Sequence, residues 1–454
     1  MLRLTISIIF LMVIPLLAQS HEDFIEGPFA NPHEVTSECL GCHDTAAEEV
    51  MKTSHWTWLD EIFVDAKKDS VRRGKQNFIN NFCIAVPSNY PRCTSCHAGY
   101  GWKDASFDFS NEENVDCLVC HDQSGIYTKI PTGAGMPDST IDLVTVAQSV
   151  GLPTRKNCGT CHFDGGGGTG VKHGDLDDSL YDPKPETDFH MGELGFQCTE
   201  CHTTEEHKIM GASHGSMAAG ENHIYCTNCH DEEVHSNKTL NRHIKTIACE
   251  TCHILQFAKV EPTKVWWDWS KAGEERPDSL DQYGKETYNK MKGEFAWAKN
   301  VIPTYAWYNG SASYYKMGDK IEPGKTVELN SLNGDINDPE AKIAPFKVMR
   351  GKQIYDSKNN YLIIPKLFGK DGYWKTYDWN SASELGMKEV NLEYSGNYDF
   401  IETEMYWPIN HMVASKDKAL RCTSCHGKKA DLLDWEALGY SKDPMKTGGR
   451  KLNN

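Results

Sequence analysis

The hydrophobic pattern at the N-terminus differs from that of the rest of the chain. Arg3 precedes an apolar run from Leu4 to Leu17, and the small residues Ala18-Gln19-Ser20 follow it. A basic residue, a short apolar run and an A-x-S site are typical of a secretory signal peptide. The run is too short to span a membrane, and no later stretch is long enough. We therefore predict a signal peptide over residues 1–20 and an exported product, periplasmic or otherwise, that is soluble and not stably inserted in a membrane.

Elsewhere the periodic segments are short. The clearest helical pattern covers residues 140–150, where Thr140 can cap the first turn and Gly151 ends the helix. A second helix is predicted over residues 45–58. Alternating strand patterns are few, and residues 361–364 give one of them. The pattern predicts a mainly α protein with long loops and little β structure.

Eight copies of the pattern CxxCH dominate the chain and use 16 of its 17 cysteines. The cysteine pairs are Cys39 and Cys42, Cys93 and Cys96, Cys117 and Cys120, Cys158 and Cys161, Cys198 and Cys201, Cys226 and Cys229, Cys249 and Cys252, and Cys422 and Cys425. The histidines that end the copies are, in the same order, His43, His97, His121, His162, His202, His230, His253 and His426.

Each copy is a c-type haem attachment signature. Cysteines three residues apart lie on one face of a helical turn, so both can form thioethers to one porphyrin. The histidine that follows can offer a nitrogen to the iron as the proximal ligand. Zinc sites need further ligands for each metal and no histidine at this position, and a disulfide framework would not repeat the pattern eight times. The sequence predicts eight covalently bound haems c.

Composition and charge agree with a core built around cofactors. The hydrophobic content is 39% and the mean hydropathy is −0.56, which is low for a chain of this length. Eight haems would supply the missing apolar surface. The net charge of −17 argues against nucleic acid and anionic membranes as partners. A redox donor with a basic docking patch, such as a small or quinol-linked cytochrome, is the expected partner.

The motifs divide the chain unevenly. Seven lie in residues 21–257, which we predict to be a haem-rich domain, and the eighth lies in a C-terminal segment over 411–454. Residues 258–410 between them carry no motif and are rich in aromatic residues. This segment is expected to cover the haem core. Its aromatic residues have two interpretations, as walls of a substrate channel or as ordinary packing of a separate lobe.

The remaining histidines are candidate second ligands of the irons. Eight of the 19 histidines are in motifs, so eleven remain. An electron-transfer haem normally takes a second strong ligand, so seven of the eleven are needed if one haem is catalytic. His21 is the least favoured, because we expect it at the mature terminus. Local context favours the following histidines as distal ligands: His55, His190, His214, His235, His243, His411, His173 and His207.

Several longer stretches carry a family resemblance. They are residues 24–29, 51–58, 80–83, 92–106, 114–122, 165–168 with 171–176, and 303–310. On these stretches the chain resembles the octahaem tetrathionate reductase family of exported cytochromes c, over most of the mature sequence. The resemblance implies a multihaem cytochrome c fold, mostly helical, whose core is built from eight haems.

The resemblance also implies one special haem, at the second motif, with a lysine as its distal ligand. That haem would be attached to Cys93 and Cys96, with His97 as the proximal ligand. Lys172 is our choice for the lysine, because it follows the glycine-rich loop 165–168 that lets a side chain come close. Lys129 is the alternative, and either lysine could instead be an ordinary surface residue.

Cys83 is the cysteine outside the motifs. It lies ten residues before the second motif, and the family places a cysteine at its active haem. A thiolate there could attack a sulfur–sulfur bond. The other interpretation is a buried structural thiol.

Two related families extend the comparison. Pentahaem nitrite reductases use a CxxCK motif at the active haem, and this chain has none. Hydroxylamine oxidoreductases are octahaem proteins with a cross-linked tyrosine, which the sequence does not identify here. By analogy with related cytochromes, a calcium ion near the active haem is also a prediction, without named ligands.

Three functions remain open at this point. The first is an exported reductase that delivers electrons to tetrathionate, nitrite or hydroxylamine, with Lys172, Cys83 and His97 at the active haem. The second is a non-catalytic electron carrier or a subunit of a conduit. The third is a redox sensor based on Cys83.

Overall fold

The structure is a computed structural model, and it describes residues 20–59, 63–64, 70–82, 84–211, 213–214, 217–218, 223–428 and 430–450. The predicted signal peptide therefore lies outside the described residues, apart from Ser20. Cys83 lies outside them as well.

The α-helices are short, and most of them precede residue 255. Their bounds are α1 Pro32–Leu40, α2 Ala46–Met51, α3 Ser54–Thr57, α4 Tyr90–Cys93, α5 Cys117–His121, α6 Leu143–Gln148, α7 Arg155–His162, α8 Phe189–Gly192, α9 Cys198–Cys201, α10 Lys238–His243, α11 Cys249–His253, α12 Tyr373–Thr376, α13 Trp379–Glu389, α14 Cys422–Cys425 and α15 Pro444–Thr447. Turns of 3₁₀ helix occur at His21–Asp23, Thr94–Cys96, Glu112–Asn114, Asp178–Leu180, Cys226–Asn228, Trp269–Lys271 and Lys416–Lys418.

The strands are concentrated after residue 262. Their bounds are β1 Phe63–Val64, β2 Ser70–Val71, β3 Thr204–Glu205, β4 Lys208–Ile209, β5 Ser213–His214, β6 Met217–Ala218, β7 Thr263–Asp268, β8 Ser279–Leu280, β9 Glu286–Asn289, β10 Gly293–Ala298, β11 Thr304–Tyr308, β12 Ala312–Tyr314, β13 Val327–Glu328, β14 Asn330–Leu332, β15 Lys342–Asp356, β16 Tyr361–Leu362 and β17 Tyr398–Pro408.

One nine-stranded sheet organises this second part of the chain. Its main path is β13-β17-β15-β7-β10-β9-β8, and β11 and β16 also pair with β15. The 15-residue strand β15 is its centre, antiparallel to β17 and parallel to β7. Most of β15 is buried on both faces. It reads as a nearly continuous buried run rather than an alternating one, which is typical of a central strand covered on both sides.

The largest apolar core joins the sheet to the haem-rich part. Trp267, Trp269 and Met349 from the sheet region lie in the same cluster as Phe82 and Val171. The tryptophans are 3% or less exposed, so they pack as core residues. Ile79, Phe82, Ile84 and Ala85, together with Val171, therefore pack directly against the sheet.

The predicted mainly α description, with little β structure, fits this structure loosely. The structure is 26% helix and 18% strand. The sheet strands lie between 263 and 408, where few alternating patterns predicted them. In β15, burial on both faces removes the alternation. The predicted helix over 140–150 is the shorter α6, capped by Asp142 rather than Thr140. The predicted helix over 45–58 is divided into α2 and α3.

Candidate haem sites and candidate active site

Every CxxCH motif lies on, or at the end of, a turn of helix. Six are on α-helices or end one, and the second and sixth motifs include the 3₁₀ turns Thr94–Cys96 and Cys226–Asn228. In α5, Asp116 caps the turn by accepting a hydrogen bond from the Val119 amide. A helical turn brings both cysteines of a motif to one side, which is the arrangement that two thioethers to one porphyrin require.

Seven of the eight motif histidines face a second histidine at nearly the same distance. The ring centroids are 6.2 Å apart for His43 and His21, 6.3 Å for His121 and His207, 6.1 Å for His162 and His55, 6.3 Å for His202 and His411, 6.1 Å for His230 and His190, 6.4 Å for His253 and His235, and 6.2 Å for His426 and His243.

These distances fit an iron between each pair of rings. Metal–imidazole nitrogen bonds are about 2 Å long, and each ring centroid lies roughly 1.1 Å behind its nitrogen, so two axial imidazoles should have centroids about 6.2 Å apart. Rings packed without a metal would show no such common distance. The paired histidines are therefore suited to hold seven haem irons from both sides.

The outer ring nitrogens of several paired histidines are also fixed. Nδ1 of His121 and of His202 lies 2.9 Å from a backbone carbonyl oxygen, of Gly151 and Met210 respectively. Carboxylates bind Nδ1 at three others, in the pairs His207 with Glu49, His411 with Asp175 and His426 with Asp443, at 2.7, 3.0 and 2.7 Å. Histidines that ligate metals commonly donate their second nitrogen in this way. The bonds leave Nε2 for the iron.

Contacts between cysteines show which motifs are neighbours. Thiols are in hydrogen-bond contact in the pairs Cys39 with Cys117, Cys96 with Cys161, Cys158 with Cys198, and Cys226 with Cys249. Cys120 also interacts with Cys158, Cys201 with Cys229, and Cys252 with Cys425. The motifs thus form a continuous series, in which the second motif lies against the fourth.

The second motif differs from the other seven. No histidine ring lies opposite His97 in the part of the chain that the structure describes, and its Nε2 is 2.6 Å from the Trp56 carbonyl oxygen. The ring is fully buried among aromatic side chains, with centroid distances of 4.8 Å to Trp102 and 5.0 Å to Trp56. Burial lowers the pKa of His97 to about 3. His97 is thus a neutral imidazole whose usual iron-binding nitrogen already has a partner.

A buried charged network holds the backbone next to His97. Nζ of Lys129 lies 2.7 Å from Asp116 Oδ2 and donates to the His97 carbonyl oxygen at 2.5 Å. Tyr100 and Tyr127 each donate a 2.9 Å hydrogen bond to the Asp116 carboxylate. Burial raises the pKa of both tyrosines well above the usual value, and Asp116 adds to this. Lys129 is therefore committed to this network, which weakens its case as an iron ligand.

Lys172 is half-buried and follows the glycine-rich loop 165–168. Its Nζ lies 5.2 Å from the centre of the Trp407 ring, and it interacts electrostatically with Cys96 of the second motif. Burial, with a contribution from Lys75, lowers the pKa of Lys172 to about 8. A Cβ at Gly166, where φ is +82°, would lie 2.9 Å from the Phe82 ring and 3.3 Å from the Lys172 Cβ. The glycine therefore allows Lys172 to pack against the loop.

The eight distal histidines predicted from sequence fall into three groups. Six lie opposite a motif histidine, namely His55, His190, His207, His235, His243 and His411. His173 instead packs against Trp407, with ring centroids 5.0 Å apart, and the side chain of His214 lies outside the described residues. Sequence reasoning passed over His21, which faces His43. Its place just ahead of the first motif was a usable signal, because a short terminal segment can fold back onto the adjacent helix.

Within the described residues, no cluster of three or more histidine, cysteine, aspartate or glutamate side chains is arranged to hold another metal ion. Calcium stays a prediction. In the same residues, no helix is both long and apolar enough to cross a membrane.

Helical CxxCH motifs and histidine pairs at iron-spanning distances define a multihaem c-type cytochrome. Family models agree over three stretches: "Cytochrome c554 and c-prime" over residues 38–122, "Cytochrome c7 and related cytochrome c" over 184–254, and "Cytochrome c bacterial" over 264–429. An uncharacterized protein of Archaeoglobus fulgidus is 26% identical over 227 residues, which are 39% of this chain and 75% of that protein.

A solved structure gives the more specific result. The octahaem cytochrome c of Shewanella oneidensis is 54% identical, with a TM-score of 0.90, over 95% of this chain and 99% of that chain. The chain belongs to the octahaem cytochrome c family, which confirms the resemblance to octahaem tetrathionate reductases inferred from the sequence. It is a multihaem cytochrome with eight covalently bound haems c and a role in electron transfer.

Proposed function

We propose that the protein is an exported reductase that delivers electrons to a small inorganic substrate at the haem on Cys93 and Cys96. One observation carries this proposal. Seven motif histidines face a second histidine, whereas His97 faces none in the described residues, and a half-buried lysine, Lys172, lies near its motif instead. A reductase needs one iron that substrate can reach, and electron-transfer haems need none.

In this proposal Lys172 would ligate the iron of that haem. Its amine is buried, and its lowered pKa favours the neutral form that can bind a metal. His97 is the predicted proximal ligand of the same haem. The hydrogen bond from its ring to Trp56 supports a variant in which Lys172 is the main protein ligand and the opposite side is left for substrate.

The other residues of the site hold this arrangement. Aromatic side chains around His97 exclude water, and Lys129 with Asp116 fixes the His97 backbone. Haem iron supplies one-electron transfers and a coordination position. The contact between Cys96 and Cys161 would bring the fourth haem, paired by His162 and His55, next to the active one. Electrons would therefore enter from the series of bis-histidine sites.

The expected substrates are tetrathionate, or nitrite and hydroxylamine. With tetrathionate, two electrons break the central sulfur–sulfur bond and release two thiosulfates, with no proton required. Cys83 would take part only in this sulfur chemistry, and its role stays a prediction that a Cys83→Ser variant tests. The donor is expected to be a small cytochrome or a quinol-linked cytochrome.

The test is turnover by the purified holoprotein with reduced viologen. Tetrathionate, nitrite and hydroxylamine are compared for the wild type, Lys172→Ala and the control Lys325→Ala, which changes an exposed lysine paired with Glu322. We expect turnover that falls by at least about 100-fold in Lys172→Ala, the size of losing one directly acting group, and is unchanged in the control. Absence of turnover with all three substrates, despite full haem content, would make the protein an electron carrier.

A further inference from the structure

A buried lysine, Lys347, contacts the segment that carries Lys172. It lies in the middle of β15 and is 1% exposed. Its Nζ donates hydrogen bonds to the Val171 carbonyl oxygen at 3.0 Å and to the Lys172 carbonyl oxygen at 3.1 Å. The third bond, of 2.6 Å, goes to Oγ1 of Thr263. All three donors of the ammonium group are therefore used, as a buried amine requires.

Thr263 extends these contacts along the same segment. Its hydroxyl accepts the bond from Lys347 and donates to the Gly170 carbonyl oxygen at 2.7 Å, with the His173 carbonyl oxygen 3.3 Å away. Thr263 is the first residue of β7 and is 1% exposed. Two adjacent sheet strands thus bind the carbonyl groups of residues 170–173.

These carbonyl groups belong to a loop. The segment 163–174 lies between α7 and the next 3₁₀ turn and includes four glycines with positive φ: Gly166, Gly167, Gly168 and Gly170. Its backbone has no helix or strand of its own to fix it. Buried carbonyl groups need partners, and in residues 171 and 172 Lys347 supplies them. The sheet therefore determines where this loop lies.

The sheet register adds a contact to the amine end of Lys172. Lys347 on β15 is directly opposite Trp407 on β17, so both side chains point to the same face. The Trp407 ring lies 5.2 Å from Lys172 Nζ. The stem of Lys347 fits beside Gly174, where a Cβ would be 3.2 Å from the Lys347 Cδ and 2.4 Å from the Phe257 ring. One cross-strand pair thus contacts both the backbone and the amine of Lys172.

We infer that Lys347 and Thr263 are positioning residues that set the reach of the Lys172 amine toward the haem on Cys93 and Cys96. This inference rests on the proposed function, in which Lys172 binds that iron. Neither residue touches the substrate. They act by holding the carbonyl groups of residues 170–172, so that the amine reaches the iron without the loop having to reorder.

The test uses three variants of the full holoprotein. They are Lys347→Met, Thr263→Val, which is isosteric with threonine, and Thr263→Ser. The methionine keeps the length of the stem and removes the three donors, whereas serine keeps the hydroxyl that valine removes. The main measurement is the ferric electron paramagnetic resonance signal that separates the haem near Lys172 from the seven bis-histidine haems. Steady-state kinetics, haem content and thermal unfolding are recorded in parallel.

We expect Lys347→Met to change this signal toward that of Lys172→Ala and to lower kcat by about 10- to 100-fold, as seen for groups that orient metal ligands. KM should change by less than about twofold, because the contacts with substrate remain. Thr263→Val should give the same change to a smaller degree, and Thr263→Ser should restore the wild-type signal. Signals of the seven bis-histidine haems should not move.

Lys259→Met is the matched control. Lys259 Nζ also donates to three backbone carbonyl oxygens, those of Glu186, Thr187 and Met412, at 3.2, 3.0 and 2.8 Å. Its loss creates the same kind of defect away from the Lys172 segment. The signal of the Lys172 haem should stay as in the wild type, so a change there would indicate general destabilisation.

The outcomes separate this inference from the proposed function. An unchanged signal and kcat in folded, fully loaded Lys347→Met would overturn the inference, while a change in Lys172→Ala would still support the proposed function. An unchanged signal in Lys172→Ala would overturn the proposed function itself. If Lys347→Met does not fold, the valine and serine variants decide, and equal behaviour of the two would overturn the inference.

Discussion

The second motif has the same five-residue pattern as the other seven motifs of this protein, but its surroundings differ from theirs. At the seven, a motif histidine and a second histidine face each other with centroids 6.1–6.4 Å apart. At the second motif, the His97 ring turns into an aromatic enclosure and binds a backbone carbonyl group. The attachment motif therefore fixes where a haem is bound, and the surrounding fold decides which atoms reach its iron.

The two kinds of site are also stabilised differently. Around the histidine pairs, single carbonyl or carboxylate groups orient the rings. Around His97, a buried ion pair with two tyrosines holds the backbone, and a sheet strand holds the Lys172 segment. In the proposed function the second site has one replaceable ligand, so the fold would have to provide the support that paired ligands give elsewhere.

The largest expected effect comes from breaking the ion pair beside His97. Asp116→Asn leaves the Lys129 charge buried without its partner, and we expect the free energy of unfolding to fall by about 3–5 kcal/mol. Denaturant unfolding of the holoprotein measures this. Glu322→Gln, at an exposed pair with Lys325, should have no measurable effect. Equal effects of the two variants would show that the His97 backbone does not depend on this network.

A change of ligand at a histidine pair should alter that haem alone. His55→Met replaces the imidazole opposite His162 with a thioether, which stabilises the reduced iron. We expect one midpoint potential to rise by on the order of 100 mV, within the span of about 0.8 V that axial ligands cover. Spectroelectrochemical titration checks this. If no component shifts, His55 is not a ligand.

Changing the groups that bind the outer nitrogens of the paired histidines should shift midpoint potentials by less. The shift should be upward in one variant and downward in the other. Glu49→Gln removes the carboxylate bound to His207 and should raise one midpoint potential by roughly 20–60 mV, since 59 mV corresponds to about 1.4 kcal/mol for one electron. Asn241→Asp adds a carboxylate at His235 and should lower another by a similar amount. Shifts of the same sign in both would contradict this assignment.

The smallest expected effect concerns the orientation of the two rings within each of the seven histidine pairs. The angle between the two ring planes is 20–29° in the pairs of His43, His202 and His253. It is 65–73° in the pairs of His121, His162, His230 and His426. The mutual orientation of axial rings affects the electronic levels of ferric iron. We expect two groups of low-spin signals in electron paramagnetic resonance, in a ratio near three to four.

Much of the candidate site could be predicted because short sequence patterns identify the residues that bind the haems. The CxxCH spacing places two thiols and one imidazole on a single turn, which needs no knowledge of distant residues. Six of the proposed distal histidines lie opposite a motif histidine, and the preference for Lys172 over Lys129 agrees with the ion pair that commits Lys129 to Asp116. The pairing of His21 with His43 was missed, because we expected His21 at the mature terminus and gave less weight to its place just ahead of the first motif.

The sequence by itself determined the number of haems, their attachment points and the supply of nitrogen ligands, because each follows from residues a few positions apart. Only the tertiary structure decided which histidines face each other and that the His97 ring binds the Trp56 carbonyl oxygen instead. It also decided that Lys347 on β15 binds the backbone of the Lys172 segment. Those contacts join residues up to 209 positions apart, as in His202 with His411. The packing of the sheet and loops brings these residues together, and no local sequence pattern predicts that packing.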